Sequence, residues 1–288
     1  MKQTSALAAI PLLSSVAGLA ASDEAWICDI WGVMHNGIVP FLPAAEAARA
    51  FRARGGIVCL LTNAPRPRES VIAQIDGIGV PRDAWDAVVT SGDLTCSIIT
   101  GRADRSLYHL GPARDAAIFE GLDVEFVAAE AARLVVCSGL FDDETETPAD
   151  YADALARFRA NDALMVCANP DIVVERGHTL VYCAGALAEA YEAIGGRVIW
   201  AGKPHLPAYD AALAAIERIK GRPVAKDHLL AIGDALRTDI AGAANFGVRS
   251  LFIASALHVQ GPLDKAKLDA LFAGHVVRPV GAMDGLAW

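Results

Sequence analysis

The sequence is short of most features that assign a chain to a class at sight. Among its six cysteines, Cys28, Cys59, Cys96, Cys137, Cys167 and Cys183, no two stand in a CxxC pair, and most lie inside apolar runs such as GIVCLL and LVVCSG. A disulfide framework or a zinc site would want closer and more polar spacing, so they read as buried, reduced thiols of a cytoplasmic protein. An excess of positive charge is lacking too: 25 Lys and Arg against 34 Asp and Glu leave a formal charge of −9. A non-specific nucleic-acid binder needs cations to replace counterions along the phosphates, so no nucleic-acid partner is expected. A small anionic substrate is not excluded, because a few local donors and a metal ion can hold a phosphate inside an acidic protein. No internal repeat, low-complexity tract or long charged run occurs, and the acidic stretch FDDETETPAD reads as solvated surface.

Several familiar catalytic signatures are missing as well. There is no GxSxG elbow and no Walker lysine motif, and the GIG of Gly77 to Gly79 lacks the third glycine of a dinucleotide fingerprint. Serine-hydrolase, P-loop and Rossmann-dehydrogenase readings fall with them. The apolar segment from Ala6 to Ala21 is too short to span a bilayer, and Pro11, Ser14 and Ser15 interrupt it as a secretory signal. Its residues Leu7, Ile10, Leu13, Ala17 and Ala20 mark instead one face of a helix packed on the core. No membrane partner is expected.

What is present is an alternation of period. The strand-like runs WICDIWGV, GIVCLLTN and DAVVTSG alternate with the helical stretches PAAEAARAFRARG, RESVIAQIDGIG and DLTCSIITGR. The pattern resumes with GRVIWAGKP, PAYDAALAAIERI, HLLAIGD, TDIAGAANFG and VRSLFIA. Continuous apolar strands separated by helices predict an α/β fold with a doubly wound, Rossmann-like parallel sheet covered on both faces. Residues 104–197 carry strands of their own, SLYHLG, RLVVCSG and ALMVCAN, and read as an inserted α/β domain. Residues 1–103 and 198–288 would then form the core domain.

Ligands on open parallel sheets bind beyond the carboxyl ends of the strands. Four polar signals fall there: Asp29 after WIC, Thr62 and Asn63 after GIVCLL, Lys203 after RVIWAG, and Asp234 after HLLAIG. Alone, Asp29 is a turn residue and Lys203 a solvated surface lysine. As a set they describe a phosphate and metal cradle. Asp29 and Asp234 supply the carboxylates that Mg²⁺ asks for, and Asp239 stands close by at the start of the next helix. Lys203 supplies charge, while the Thr62 hydroxyl and the Asn63 backbone N–H supply directed donors for phosphoryl oxygens.

DIWGV, LLTNA, GKP and GDALRTDI, in this order with a large insertion between the second and third, resemble the four motifs of the haloacid dehalogenase superfamily. The insertion's position and α/β character resemble the large-cap class IIA subgroup, which includes sugar-phosphate, nucleotide and pyridoxal-phosphate phosphatases. The resemblance implies a Mg²⁺-dependent phosphatase acting on a small phosphorylated metabolite. It makes Asp29 the nucleophile of an aspartyl-phosphate, with Thr62 and Lys203 holding the phosphoryl group. It makes Asp29, Asp234, the Trp31 backbone carbonyl and Asp239, or a water that Asp239 orients, the metal's ligands. ANPD, at Ala168 to Asp171, resembles the cap loop that faces the active site, followed by Gly177 and Gly185, so Asn169 and Asp171 are candidates for leaving-group contacts. An ordinary Asn-Pro-Asp turn is the plainer account. The sequence leaves room for a homodimer.

One motif residue departs from that family's pattern. The second Asp of the usual DxD, which protonates the leaving alcohol and later activates water, is Trp31 here, and indole can do neither. His35, four residues on, is the candidate replacement, since imidazole titrates near neutrality; the alternative is a histidine that packs the turn. Two rival readings keep the fold: a phospho-ligand sensor without turnover, and a phosphotransferase or phosphonate-cleaving enzyme, whose better leaving group needs less proton donation.

Overall fold

A computed structural model describes residues 9–176, 179–254, 259 and 261–288. The strands are β1 (Ala25–Cys28), β2 (Ile57–Thr62), β3 (Ala87–Thr90), β4 (Ser106–Leu110), β5 (Glu125–Phe126), β6 (Leu134–Cys137), β7 (Leu164–Cys167), β8 (Val173–Arg176), β9 (Thr179–Tyr182), β10 (Arg197–Trp200), β11 (Leu229–Gly233), β12 (Arg249–Ile253) and β13 (Gly281–Met283). The helices are α1 (Leu42–Ala53), α2 (Arg68–Ile78), α3 (Ser91–Thr100), α4 (Ala152–Ala160), α5 (Ala184–Ala193), α6 (Leu206–Lys220), α7 (Ala241–Phe246) and α8 (Lys265–Leu271).

By packing, the chain divides into two compact units. The first comprises Met1–Leu61, Gln74–Val88 and Tyr209–Trp288, and the second comprises Thr62–Ala73 and Val89–Ala208. The stretch 104–197 falls inside the second.

A six-stranded sheet runs in the order β13-β12-β11-β1-β2-β3, and its pairs from β13 through to β2 are parallel. Every residue of β1, β2 and β11 is buried. That is why their sequences, Thr62 at the end of β2 apart, are apolar and do not alternate: a parallel sheet with helices on both faces has no solvent side. In the first unit, Trp26 of β1 stacks on Phe51 of α1 with ring centroids 4.1 Å apart and planes 1° from parallel. Trp26 is fully buried, which removes apolar area worth on the order of 3 kcal/mol from water.

The second unit has a five-stranded parallel sheet, order β10-β7-β6-β4-β5, and the antiparallel pair β8–β9. Val135, Cys137, Met165 and Cys167 of β6 and β7 pack with Leu155 and Phe158 of α4 and with Leu187 and Tyr191 of α5. The fold class expected from the alternation of periods is thus present.

The N-terminal expectation is corrected. Where Leu7 to Ala20 suggested one helix face, the described part is extended at Leu12, which bridges in parallel to Ala282 of β13, and only Leu19–Ser22 make a 3₁₀ turn. Pro11 explains the choice: it has no N–H for a helix, while its carbonyl accepts from Ala282 and the Leu13 N–H donates to Ala282. Ala6 and Leu7 lie outside the described residues. Among the described residues no helix is long and apolar enough to cross a membrane. All six cysteines are free, and all but Cys96 are buried.

Candidate active site

In the first unit, β1 and β11 are neighbours in register Cys28↔Ile232, and the Asp29 N–H continues that ladder by donating to the Ile232 carbonyl at 2.8 Å. Strand β11 ends one residue later at Gly233, so Asp29 and Asp234 leave the same sheet end side by side. Leu236–Ile240 then form a π-helical turn, a local widening often met at functional sites. It folds Asp239 back: its N–H donates to the Ala235 carbonyl at 3.0 Å, and its Oδ2 accepts from the Ala235 N–H at 3.1 Å. The expected helix start at Asp239 is therefore a π turn leading into α7.

The three carboxylates are buried, with ligand oxygens within 4.8 Å of one another. At that spacing each ionised pair repels by about 3 kcal/mol or more for an effective dielectric of about 20. Buried, all-oxygen and triply acidic, the set fits a hard divalent cation such as Mg²⁺, whose charge would remove that repulsion.

The loop after Asp29 is shaped around the second of these acids. Gly32 has φ +80°, and a Cβ there would meet Asp234 Oδ2 at 2.2 Å. Both the backbone region and the space thus demand glycine. The Gly32 N–H donates to the His35 carbonyl at 2.8 Å, and the His35 Nδ1 accepts from the Gly37 N–H at 2.8 Å. That bond leaves the ring proton on Nε2. His35 is 2 % exposed, and burial pushes its imidazole down to about 4. These are the contacts of a histidine that holds a turn in its neutral form. Trp31, in contrast, is 36 % exposed and lies edge-on to the His35 ring, 6.4 Å between centroids.

The second unit holds a polar cluster of its own around Asn63. The Asn63 Oδ1 accepts from the Lys203 N–H at 2.8 Å, and its Nδ2 donates to the Lys203 carbonyl at 3.1 Å and to Asp171 Oδ1 at 2.9 Å. Lys203 is 3 % exposed, hence no solvated surface lysine, and an ammonium so placed wants an anion near it. The Thr62 hydroxyl accepts from the Ala64 N–H at 3.2 Å, which leaves its proton free to point elsewhere. Asn169 Oδ1 accepts from the Asp171 N–H at 3.1 Å, closing an Asx turn, and the Gly185 N–H donates to the Asp171 carbonyl at 3.1 Å. Gly177 lies outside the described residues.

The structure therefore gathers Asp29, Asp234 and Asp239 in one unit, with Trp31 and His35 on the adjoining loop. It gathers Asn63, Asp171 and Lys203 in the other, with Thr62 and Asn169 next to them in the chain. Two residues went unseen in the sequence. Gly32 stands inside DIWGV, where nothing in the sequence marks the approach of Asp234. Ser91 closes on Gly202, where a Cβ would meet Ser91 Oγ at 2.3 Å and Asn63 Oδ1 at 2.6 Å. The glycine in AGKP was the only sign of so close an approach.

Comparison with known proteins agrees with the motif resemblance. A model of the haloacid dehalogenase-like hydrolases matches residues 26–125, and a second model described as HAD-hydrolase-like matches residues 200–277. A solved hydrolase of the haloacid dehalogenase-like family from Brucella suis 1330 is 46% identical, covers 96% of this chain and 100% of its own, and superposes with a TM-score of 0.85. Ribonucleotide monophosphatase NagD of Escherichia coli K12 is 27% identical over 243 residues, 83% of this chain and 90% of its own. The 5'-nucleotidase YutF of Bacillus subtilis is 25% identical over 232 residues, 80% and 86% of the two chains.

Proposed function

The chain belongs to the haloacid dehalogenase-like hydrolase family, and we propose that it is a Mg²⁺-dependent phosphatase of a small phosphomonoester, a sugar phosphate or nucleotide. The observation that carries this reading is the convergence of Asp29, Asp234 and Asp239, buried within 4.8 Å, at the end of adjacent strands β1 and β11. Asp29, Asp234, Asp239 and the Trp31 carbonyl would hold Mg²⁺, which when bound supplies positive charge to the phosphoryl oxygens.

An Asp29 oxygen attacks phosphorus in line with the ester oxygen. The new O–P bond forms as the old one breaks, giving an aspartyl-phosphate and an alcohol that must gain a proton. Water then attacks phosphorus, releases inorganic phosphate and restores the Asp29 carboxylate. Lys203 and the Thr62 hydroxyl neutralise and orient the phosphoryl oxygens, and residues 104–197 choose the leaving group, with Asn169 and Asp171 as contacts. Free, largely buried cysteines support a cytoplasmic setting.

The proton steps fall to a group other than Trp31. His35 is the candidate on the adjoining loop, but in its neutral form the Nδ1 lone pair already accepts from Gly37, so it must release that bond before it can take a proton. That engagement, with the missing acid, favours a second reading in which the chain binds phospho-ligands with little turnover. A panel of phosphate esters with Mg²⁺, run on the native chain and on Asp29→Asn, separates the two. Phosphate release by the native chain alone supports the phosphatase. Binding without release by both chains supports the sensor, and release by both points to a different nucleophile.

A further inference from the structure

A cavity of about 420 Å³ lies within the second unit, in the range usual for small-molecule sites. Its lining adjoins, along the chain, the polar cluster around Asn63 and Lys203. Arg66 follows Asn63 by three positions, and Asn169 closes the turn onto Asp171, which accepts from the Asn63 amide.

The lining carries two guanidinium groups, Arg66 and Arg114, and two carboxylates, Asp115 and Asp143. Arg114 pairs with Asp143. Asp115 is 6 % exposed and accepts from the Ser138 hydroxyl, whose oxygen lies 2.9 Å from His109 Nε2. Burial pushes the Asp115 carboxyl up, while Ser138, Arg114 and Arg66 pull it back toward the ionised form. Burial likewise pushes the Arg66 guanidinium down, and Asp115 opposes that. The charges of the cavity are thus balanced and partly desolvated.

We propose that this cavity takes the alcohol half of the phosphomonoester and selects an uncharged, hydroxyl-rich leaving group, such as a sugar ring, over one that carries a second anionic group. The inference rests on the phosphatase reading above. A hydroxyl donates to Asp115 or Asp143 and accepts from a guanidinium, so it satisfies both halves of the lining at once. A second phosphate or carboxylate would gain Arg66 and Arg114 but meet Asp115 and Asp143 with like charge. A bare aryl group would strip solvent from these charges and return no hydrogen bond.

The test compares kcat/KM for a hexose 6-phosphate, 3-phosphoglycerate and p-nitrophenyl phosphate, in the native chain, Asp115→Asn and Asp143→Asn, with folding checked by circular dichroism. The native chain is expected to favour the hexose phosphate over 3-phosphoglycerate by about tenfold or more. Each variant, one negative charge poorer, should move that ratio toward 3-phosphoglycerate by about tenfold. A native preference for 3-phosphoglycerate, or an unmoved ratio in both folded variants, overturns the proposal. If Asp29→Asn still abolishes hydrolysis of p-nitrophenyl phosphate, that failure belongs to the specificity proposal alone. Failure of the native chain to cleave any of the three esters overturns the phosphatase reading and this proposal with it.

Discussion

Replacing Gly32 by Ala should damage the metal site far more than the fold. The new Cβ would sit 2.2 Å from Asp234 Oδ2, where real Cβ atoms keep at least 3.0 Å, so the carboxylate or the loop must yield by about 0.8 Å. The left-handed φ of +80° adds about 1–2 kcal/mol of backbone cost, enough to lower the melting temperature by a few degrees without unfolding the chain. Mg²⁺ accepts oxygens only near 2.0–2.1 Å in close to octahedral geometry, so an acid displaced by roughly 0.8 Å is nearly lost as a ligand. A loss of about 10- to 100-fold in Mg²⁺ affinity follows by analogy with displaced metal-site partners. Calorimetric titration of Mg²⁺ into native and Gly32→Ala protein measures it. Equal affinities in two folded proteins would show that Asp234 does not hold the metal, and the cradle would have to be rebuilt around other groups.

Three further outcomes are expected. His35 is neutral in the fold, so its stabilising effect is complete above about pH 6.5 and is lost as pH falls toward 4, by on the order of 3 kcal/mol in total. Urea midpoints measured from pH 7 to 4.5 should therefore fall less steeply in His35→Asn than in the native chain, and parallel curves would refute that assignment. Asn63→Ala should cost about 2–4 kcal/mol, because it strands the Lys203 N–H among buried groups and frees the Lys203 turn, and kcat/KM should fall by about 10²; denaturant unfolding and phosphate-release assays report the two effects. Mg²⁺ should raise the melting temperature, with about 2.7 kcal/mol gained at a hundred times its dissociation constant, and an unchanged midpoint at millimolar Mg²⁺ would remove the three carboxylates from consideration as its ligands.

The parts of this site that could be read from sequence are those that local chemistry decides. Asp29 and Asp234 each follow an uninterrupted apolar run, and burial on both sheet faces makes such runs visible without any knowledge of partners. That the two strands are adjacent was not visible: about two hundred residues separate Cys28 from Ile232, and their pairing is a matter of sheet order. The sequence points to the backbone N–H of Asn63, yet its side chain makes the contacts that hold the Lys203 turn, with partners 108 and 140 positions away. The N-terminal segment misled because small and apolar residues at helical spacing say nothing of an open sheet edge at β13, which offered Pro11 and Leu13 better hydrogen bonds than a helix could. The sequence offers only the intrinsic titration range of His35, whereas burial, a property of the fold, moves it below that range.

The amide of Asn63 grips both the N–H and the carbonyl of Lys203, in the manner of a single rung of sheet made by a side chain. Chain that departs shortly after the one residue and returns just before the other is therefore closed at its base, whatever happens along its length. The entropic cost of a closed loop rises only with the logarithm of its size, so lengthening the stretch between them by half would cost less than about 1 kcal/mol. Loops within residues 104–197 can thus gain length while the lysine keeps its station, provided β7 stays in place beside β10, the strand that leads to it. In such a chain, insertions can vary far along the loop while the turn that holds Lys203 is kept.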